Sequence, residues 1–313
     1  MAAILNEGLV LEAPGYGVRV PREEAELTRR ALIQQKVLSK RLKPRIEGEY
    51  VLFPVESPLF GAEEFFFDMI ETIPSLPRHD LIGGIAVMAE PDTAGAELLL
   101  AQRRSIHTVL FAESEVEGEF RTRRWSLLAG KDTRKTVCME HGQKFLIDLE
   151  KAFFSSRLVT ERQRVLQMVE NGETVLDMFA GVGPFAIVLA KRAGKVIASE
   201  LNPSAVTLIE QNIKLNKISN VLPFLADARH LDLILEKGFD RIVMNLPHGA
   251  TCFLPFAFRL IKSGGTIHWY AVVSKEGMLI PVLEKFPVKK IREHRVRSYA
   301  PGRWHVVYDI VVV

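Results

Sequence analysis

From Gly172 onward, apolar positions fall in short continuous runs separated by stretches with helical spacing. Thr174–Ala180 (TVLDMFA) reads as a buried strand. Gly181 and Gly183 follow, and Pro184 opens a helix expected over Pro184–Ala193, since a proline in the first turn forfeits no hydrogen bond. Lys195–Leu201 predicts a second strand. Asn202 is a good N-cap for a helix over Pro203–Lys217, with Val206, Ile209, Ile213 and Leu215 as its apolar face. Val221–Asp227, Arg241–Pro247 and Thr266–Val273 predict further strands, separated by helical stretches around His230–Lys237 and Ala250–Lys262. The valine-rich tail, His305–Val313, is a last strand expected to form an extra hairpin edge. Such strand–helix alternation makes a doubly wound α/β domain.

Upstream the pattern differs. Glu23–Lys40 has the spacing of an amphipathic basic helix, and Tyr50–Pro54 that of a strand. Glu56–Pro77, rich in proline, phenylalanine and acids, reads as a linker. Asp80–Met88, Thr108–Phe111 and Gly118–Leu128 read as strands. The expected division is a small α+β module at 1–60, a linker at 61–77, a β-rich module at 78–158 and the cofactor domain at 159–313.

Composition narrows the class. Of 313 residues, 48% are hydrophobic, and 41 basic against 38 acidic side chains leave +3. Mean hydropathy is +0.10. These values exclude a largely disordered chain and allow a core without disulfides or metals. Cys138 and Cys252 stand 114 residues apart with no CxxC pair, and the eight histidines form no ligand cluster. No metal site is expected, and a reducing cytoplasm is the expected location. Met1–Ala13 contains Glu7 and Glu12 and no basic segment, so no signal peptide is expected, and no 18-residue apolar run suggests a membrane span. A monomer is expected.

The glycine loop carries the first chemistry. Asp177-Met-Phe179-Ala-Gly181-Val-Gly183-Pro sits at a strand end and opens a helix, where backbone N–H groups can meet a ligand. Gly181, Gly183 and Ala186 also satisfy the dinucleotide pattern, so NAD must be weighed. Glu200 ends the second strand and can grip a ribose diol, which either cofactor demands. Asp227, closing the third strand, can accept from an adenine amine. Asn245-Leu-Pro247 closes the fourth strand, where S-adenosylmethionine (SAM) methyltransferases place a polar residue and a proline. Together with Asp177 these favour SAM. Asp177 and Asp227 as plain turn caps, and Asn245-Leu-Pro-His248 as a plain strand exit, are the bland alternatives.

A methyl donor needs a positioned nucleophile. Cys252 stands five residues beyond Pro247, too far for the cysteine chemistry of C5 methylation, and is expected to be buried and structural. Glu161 follows Ser156-Arg157 and Thr160 at the start of a helix. On spacing alone it is equally a first-turn acid with Thr160 as cap. Arg121 and Arg123 would share one face of the strand Gly118–Leu128, where solvated arginines are the default.

These segments carry a resemblance. EGEFRTRRWSLLAG (Glu117–Gly130), FFSSRLVTER (Phe153–Arg162), DMFAGVGPF, NLPHGA and SYAP (Ser298–Pro301) resemble the archaeal and eukaryotic tRNA guanosine-37 N1-methyltransferases. GYGVRVPREEAE (Gly15–Glu26) and YVLFPV (Tyr50–Val55) are similar to that family's small N-terminal domain. The resemblance implies a Rossmann-like class I SAM methyltransferase acting on tRNA. It implies Glu161 as general base at guanine N1, Arg121 as the group stabilising charge on O6, Asn245 positioning the base and Arg157 organising the loop. Asp177, Phe179, Gly181, Gly183, Glu200, Asp227, Asn245 and Pro247 would hold SAM, and Arg121, Arg123, Phe153 and His248 would touch the substrate. Phe153 stands where the family often has Tyr, Ser156 where it has Pro and Glu200 where it has Asp. Phe153 and Glu200 suggest a second activity, methylation of a tricyclic wyosine precursor at the same nucleotide. A related branch transfers the aminocarboxypropyl group instead, and a tRNA-binding protein without turnover is a third possibility.

The +3 hides an uneven distribution. Arg29–Arg45 holds seven basic residues and no acid, Arg121–Lys135 six against one, and Lys289–Arg297 five against one, while Glu56–Glu71 holds five acids and no base. Basic patches of this kind suit phosphate contacts along a folded RNA.

Overall fold

A computed structural model describes residues 12–58, 61–69, 75–115, 118 and 120–313. The reading of Met1–Ala13 falls almost wholly outside them, as do Glu117 and Glu119 of the arginine-rich motif. The chain divides into two compact units, Met1–Ser75 and Leu76–Val313.

In the first unit β1 (Glu12–Pro21), β2 (Arg45–Glu47), β3 (Tyr50–Val55) and β4 (Glu63–Asp68) form an antiparallel sheet ordered β2-β3-β1-β4. The basic helix is shorter than expected: α1 spans Ala25–Gln34, and Lys36 then turns at φ 58°. Leu32 is its buried residue, packed with Phe53 and Val55. Strand β4 corrects the reading of 61–77 as linker. Its Phe67 is fully buried because β1 faces it with glycines, and a Cβ on Gly17 would lie 2.7 Å from the ring.

The second unit begins with a hairpin, not the single strand expected over Asp80–Met88. β5 (His79–Ile82) and β6 (Ile85–Met88) are joined at Gly83, which has φ 54°, and a Cβ there would come 2.5 Å from the Val137 carbonyl oxygen. α2 (Thr93–Gln102), capped by Asp92, packs Ala96 and Leu99 against Ala86, Met88 and Val109. β7 (Thr108–Ala112) and β8 (Trp125–Gly130) complete a sheet ordered β5-β6-β7-β8. The strand expected over Gly118–Leu128 is one only from Trp125. Arg121 sits in a turn at φ 55°, so Arg121 and Arg123 do not share a strand face. A second hairpin, β9 (Lys135–Glu140) and β10 (Gln143–Asp148), precedes α3 (Val159–Met168).

The remaining elements are β11 (Thr174–Asp177), α4 (Pro184–Leu189), β12 (Lys195–Glu200), α5 (Pro203–Leu215), β13 (Val221–Leu225), α6 (Leu231–Ile234), β14 (Phe239–Met244), α7 (Leu254–Leu260), β15 (Ile261–Val273), α8 (Ile280–Leu283), β16 (Val288–Ala300) and β17 (Arg303–Val312). They build a seven-stranded sheet ordered β13-β12-β11-β14-β15-β17-β16. β11 to β15 run parallel, and β17 inserts antiparallel between β15 and β16. The valine tail is therefore interior and the basic strand β16 is the edge, which suits a strand buried on both faces.

On α5 the buried face is Ala205, Leu208, Ile209 and Asn212, a spacing of one helix stripe, whereas Leu215 is 42% exposed. Asn212 is tolerated on that buried face because its amide is hydrogen-bonded through both its oxygen and its nitrogen. Its Oδ1 accepts from Leu146 N at 2.6 Å, and its Nδ2 donates to the Leu146 and Val182 carbonyls at 3.1 and 3.0 Å. Leu110, Phe145 and Ile147 also share one core cluster with Val182, Ile187 and Leu208. The β-rich module and the cofactor domain are thus packed around a common core.

Candidate active site

A cleft of about 670 Å³ opens at the carboxyl ends of the parallel strands, around the point where strand order reverses between β11 and β14. Open α/β sheets bind ligands there because the loops on either side diverge. The loops after β11, β12 and β13 supply one set of lining residues, Arg121, Arg157, Arg297, Tyr299 and His305 a second, and Asn245–Pro247 line the cleft as well.

In the first set Gly181, φ 57°, donates its N–H to Glu200 Oε2 at 2.7 Å, while Asn202 N donates to Oε1 at 2.9 Å. Glu200 therefore ties two loops together, and each oxygen keeps a lone pair for a ligand hydroxyl. Asn202 caps α5 as expected, accepting from Ser204 N at 2.9 Å. Gly183, φ 85°, is the N-cap of α4 and lies behind the lining, where a Cβ would come 3.3 Å from Ile209. Phe179 lines the cleft and packs edge-on against Phe253 at 5.0 Å. Asp227 also lines it, its oxygens accepting from Arg229 N and Nε at 2.8 to 3.0 Å, and that guanidinium holds the carboxyl below its usual range. Asp177 lies behind the loop, 1% exposed, with no hydrogen-bond partner for either carboxyl oxygen among the described residues. Burial pushes it up to about 7; the amides of Phe179 and Ala186, which approach it, oppose the shift, and Glu200 adds to it.

In the second set Arg121 lies over the Phe153 ring, 4.9 Å from its centroid, and has no ion-pair partner among the described residues. Burial lowers its pKa, the expected response of a cation left without a carboxylate. Arg123 and Phe153 line the same wall, and Arg157 is paired with Asp80 of β5, which raises its pKa. His248 is not in the lining itself but is bonded through Nε2 to the Tyr299 hydroxyl at 2.9 Å. Burial, then Arg121 and Arg303, lower its pKa. Cys252 is exposed, with Sγ donating to the Gly249 carbonyl, which corrects the expectation of a buried cysteine; Cys138 is the buried one.

Glu161 is set apart from the other candidates. It is 4% exposed in the first turn of α3, behind the cleft wall formed by Arg157, Leu158 and Arg162. Thr160 does not cap that helix, whose N-cap is Leu158 with no side-chain bond. Arg164 clamps both Glu161 oxygens at 2.8 Å, and the Tyr270 hydroxyl donates to Oε1 at 2.6 Å. Arg164 also holds Asp309, which accepts from His268 Nδ1 at 2.6 Å. Because Arg241 can only donate, its 2.8 Å contact makes His268 Nε2 the acceptor and leaves the proton on Nδ1. Arg241 in turn pairs with Glu173. Burial would raise Asp309, yet His268 and Arg164 hold it well below the carboxylate range.

Sequence reasoning missed this buried chain, as well as Asp80, Tyr299 and His305. Arg164 was visible three residues after Glu161; the others are joined only by the sheet.

Comparison with known proteins gives two matches to families. The TRM5/TYW2 methyltransferase domain matches residues 136–297, and the tRNA methyltransferase 5 N-terminal domain matches residues 17–63. The tRNA (guanine(37)-N(1))-methyltransferase Trm5b of Pyrococcus abyssi is 36% identical, over 94% of this chain and 98% of its own. Among solved structures, the complex of aTrm5 with tRNALeu is similar with a TM-score of 0.72 and 29% identity, covering 95% of this chain and 100% of that one. Methanocaldococcus jannaschii TYW2 in complex with AdoMet is similar with a TM-score of 0.59 and 29% identity, covering 75% of this chain and 100% of that one.

Proposed function

Because this chain belongs to the TRM5/TYW2 methyltransferase family, we propose that it methylates N1 of guanosine 37 in the tRNA anticodon loop, using SAM. The observation that carries this reading is a single cleft joining a SAM-type loop to a half-buried arginine, Arg121, that no carboxylate neutralises among the described residues. The residues present fit the cofactor. Gly181 leaves the loop open to a ligand, and Glu200 offers lone pairs to a ribose diol. Bound there, SAM supplies an electrophilic methyl group on a sulfonium.

The acceptor needs help from the protein. N1 of neutral guanine carries a proton, and removing it places negative charge on O6. Arg121 would stabilise that charge, since its guanidinium is half-buried and, among the described residues, paired with no carboxylate. Asn245, whose amide has no hydrogen bond among the described residues, would orient the base beside Pro247. Arg157, held by Asp80, would fix the loop before α3.

Glu161 would take the N1 proton. In its present setting both oxygens are held, so the role requires Arg164 to release one of them. Arg164 has a second carboxylate, Asp309, and would not be left unpaired. The target base must leave its stack to reach the cleft.

Two neighbouring readings are weaker. Aminocarboxypropyl transfer is disfavoured by the Asn245-Leu-Pro247 exit and by the Trm5 N-terminal match at 17–63. Methylation of a wyosine precursor rests on Phe153 alone, half-open at the cleft, because Glu200 is engaged at the cofactor loops. Labelled SAM incubated with a tRNA transcript carrying G37, beside a G37→A transcript, tests the function. Label on the first only is expected; label on the second would break the positional claim.

A further inference from the structure

Behind the cleft wall Glu161 and Arg164 of α3 meet His268 and Tyr270 of β15 and Asp309 of β17, and the role proposed for Glu161 leaves Tyr270 and His268 unused. Glu161 Oε1 accepts from two donors, Arg164 Nη2 at 2.8 Å and the Tyr270 hydroxyl at 2.6 Å, whereas Oε2 accepts from Arg164 Nε alone at 2.8 Å. The other edge of Arg164 faces Asp309, with Nη1 2.7 Å from Oδ2 and Nη2 3.2 Å from Oδ1, and His268 Nδ1 donates to Oδ1 at 2.6 Å. Burial, then Glu161, hold the Tyr270 phenol well above its usual range, so it stays a donor. Burial lowers the His268 pKa by more than Asp309 raises it, which leaves the ring neutral near pH 7. Arg241, beyond His268, is paired with Glu173. Among the described residues the group therefore holds two carboxylates and one guanidinium while Glu161 is ionised.

We infer that Tyr270 and Asp309 are positioning residues for the base: Tyr270 fixes Glu161 Oε1, and Asp309 keeps the Arg164 guanidinium when Oε2 receives the N1 proton. This rests on the function and the base proposed above. In that step the N1–H bond breaks, its electron pair stays on the guanine, and an O–H bond forms at Oε2 as Arg164 Nε lets go. Oε2 is the oxygen to free because a single bond holds it, while Oε1 keeps the Tyr270 hydroxyl. A buried charge without a counterion is costly. Once Glu161 is protonated, Asp309 balances Arg164 one to one; without Asp309 the same step would strand the guanidinium. Sharing Arg164 between two carboxylates also leaves each of them less firmly held, so Asp309 and Tyr270 act on the base in opposite senses.

A base must be ionised to act, so the single-turnover rate on a G37 transcript should rise with pH along a limb that reports Glu161. The experiment measures that limb for wild type, Asp309→Asn and Tyr270→Phe, with SAM binding as a check that each variant is folded. Asp309→Asn keeps an acceptor for His268 but no charge to share Arg164. The guanidinium then holds the Glu161 carboxylate more strongly, and the limb should move down by about one pH unit. Tyr270→Phe removes a donor to that carboxylate, and the limb should move up by about one pH unit. Damage to packing alone would lower the rate and leave both limbs where they are. Limbs that stay in place, or that move in the same direction, overturn the inference; should Asp309→Asn fail to bind SAM, the Tyr270→Phe limb decides. A wild type that methylates G37 at a rate independent of pH would instead overturn Glu161 as the base, and one that leaves G37 unmodified would overturn the proposed function.

Discussion

Glu161 and Arg121 divide the task of making N1 nucleophilic, and the two should fail differently. Glu161→Gln keeps size but cannot take a proton, and its amide nitrogen cannot accept from Arg164 as the carboxylate oxygen does. Single-turnover methylation should fall by about 10² to 10⁴-fold, with SAM and tRNA affinities retained; a full rate would refute the base assignment. Arg121→Ala should cost about 10² to 10³-fold in the same assay, and lysine should restore little because it lacks the planar fork. Both residues were legible as members of motifs. Their settings were not. The Arg121 turn depends on a positive φ that an arginine rarely takes, and of the two partners of Glu161 only Arg164 is near in sequence, Tyr270 coming from a strand 109 residues away.

Helix α3 reaches the cleft through elements that lie far along the chain. The buried series Glu173–Arg241–His268–Asp309–Arg164–Glu161 passes from the start of β11 through β14, β15 and β17 into α3. Asp309→Ala removes one of the two carboxylates of Arg164 and the acceptor of His268 Nδ1, and leaving that buried donor unsatisfied typically costs about 1 to 3 kcal/mol. Urea denaturation should show that loss, and an unchanged midpoint would contradict it. The doubly wound strands were readable because strands buried on both faces appear as short apolar runs between glycines and caps. β4 was hidden by its acidic composition, whereas the β5–β6 hairpin was legible in the Gly83-Gly84 pair between its two apolar runs. Asn212 was hidden because a buried amide looks polar until its three backbone partners are known.

Charge is distributed at the level of the whole molecule. The +3 total gave no hint of a polyanionic partner, but Lys289, Lys290, Arg292 and Arg295 are exposed on the sheet-edge strand β16. Reversing Lys289, Lys290 and Arg292 to glutamate should weaken tRNA binding and flatten its salt dependence by about one unit of slope for every phosphate that is no longer neutralised, with SAM affinity unchanged. An unaltered salt slope would remove β16 from the RNA surface. Among the described residues, no helix is long and apolar enough to cross a membrane.

The most direct measurement is the identity and position of the methylated nucleoside. A tRNA transcript carrying G37 is incubated with SAM and the purified protein, digested, and its anticodon fragment read by mass spectrometry. The prediction is one methyl group, on 1-methylguanosine at position 37, with no such product from Glu161→Gln on the same timescale. A methyl group on another nucleotide, an aminocarboxypropyl adduct, or an unmodified anticodon fragment would contradict it.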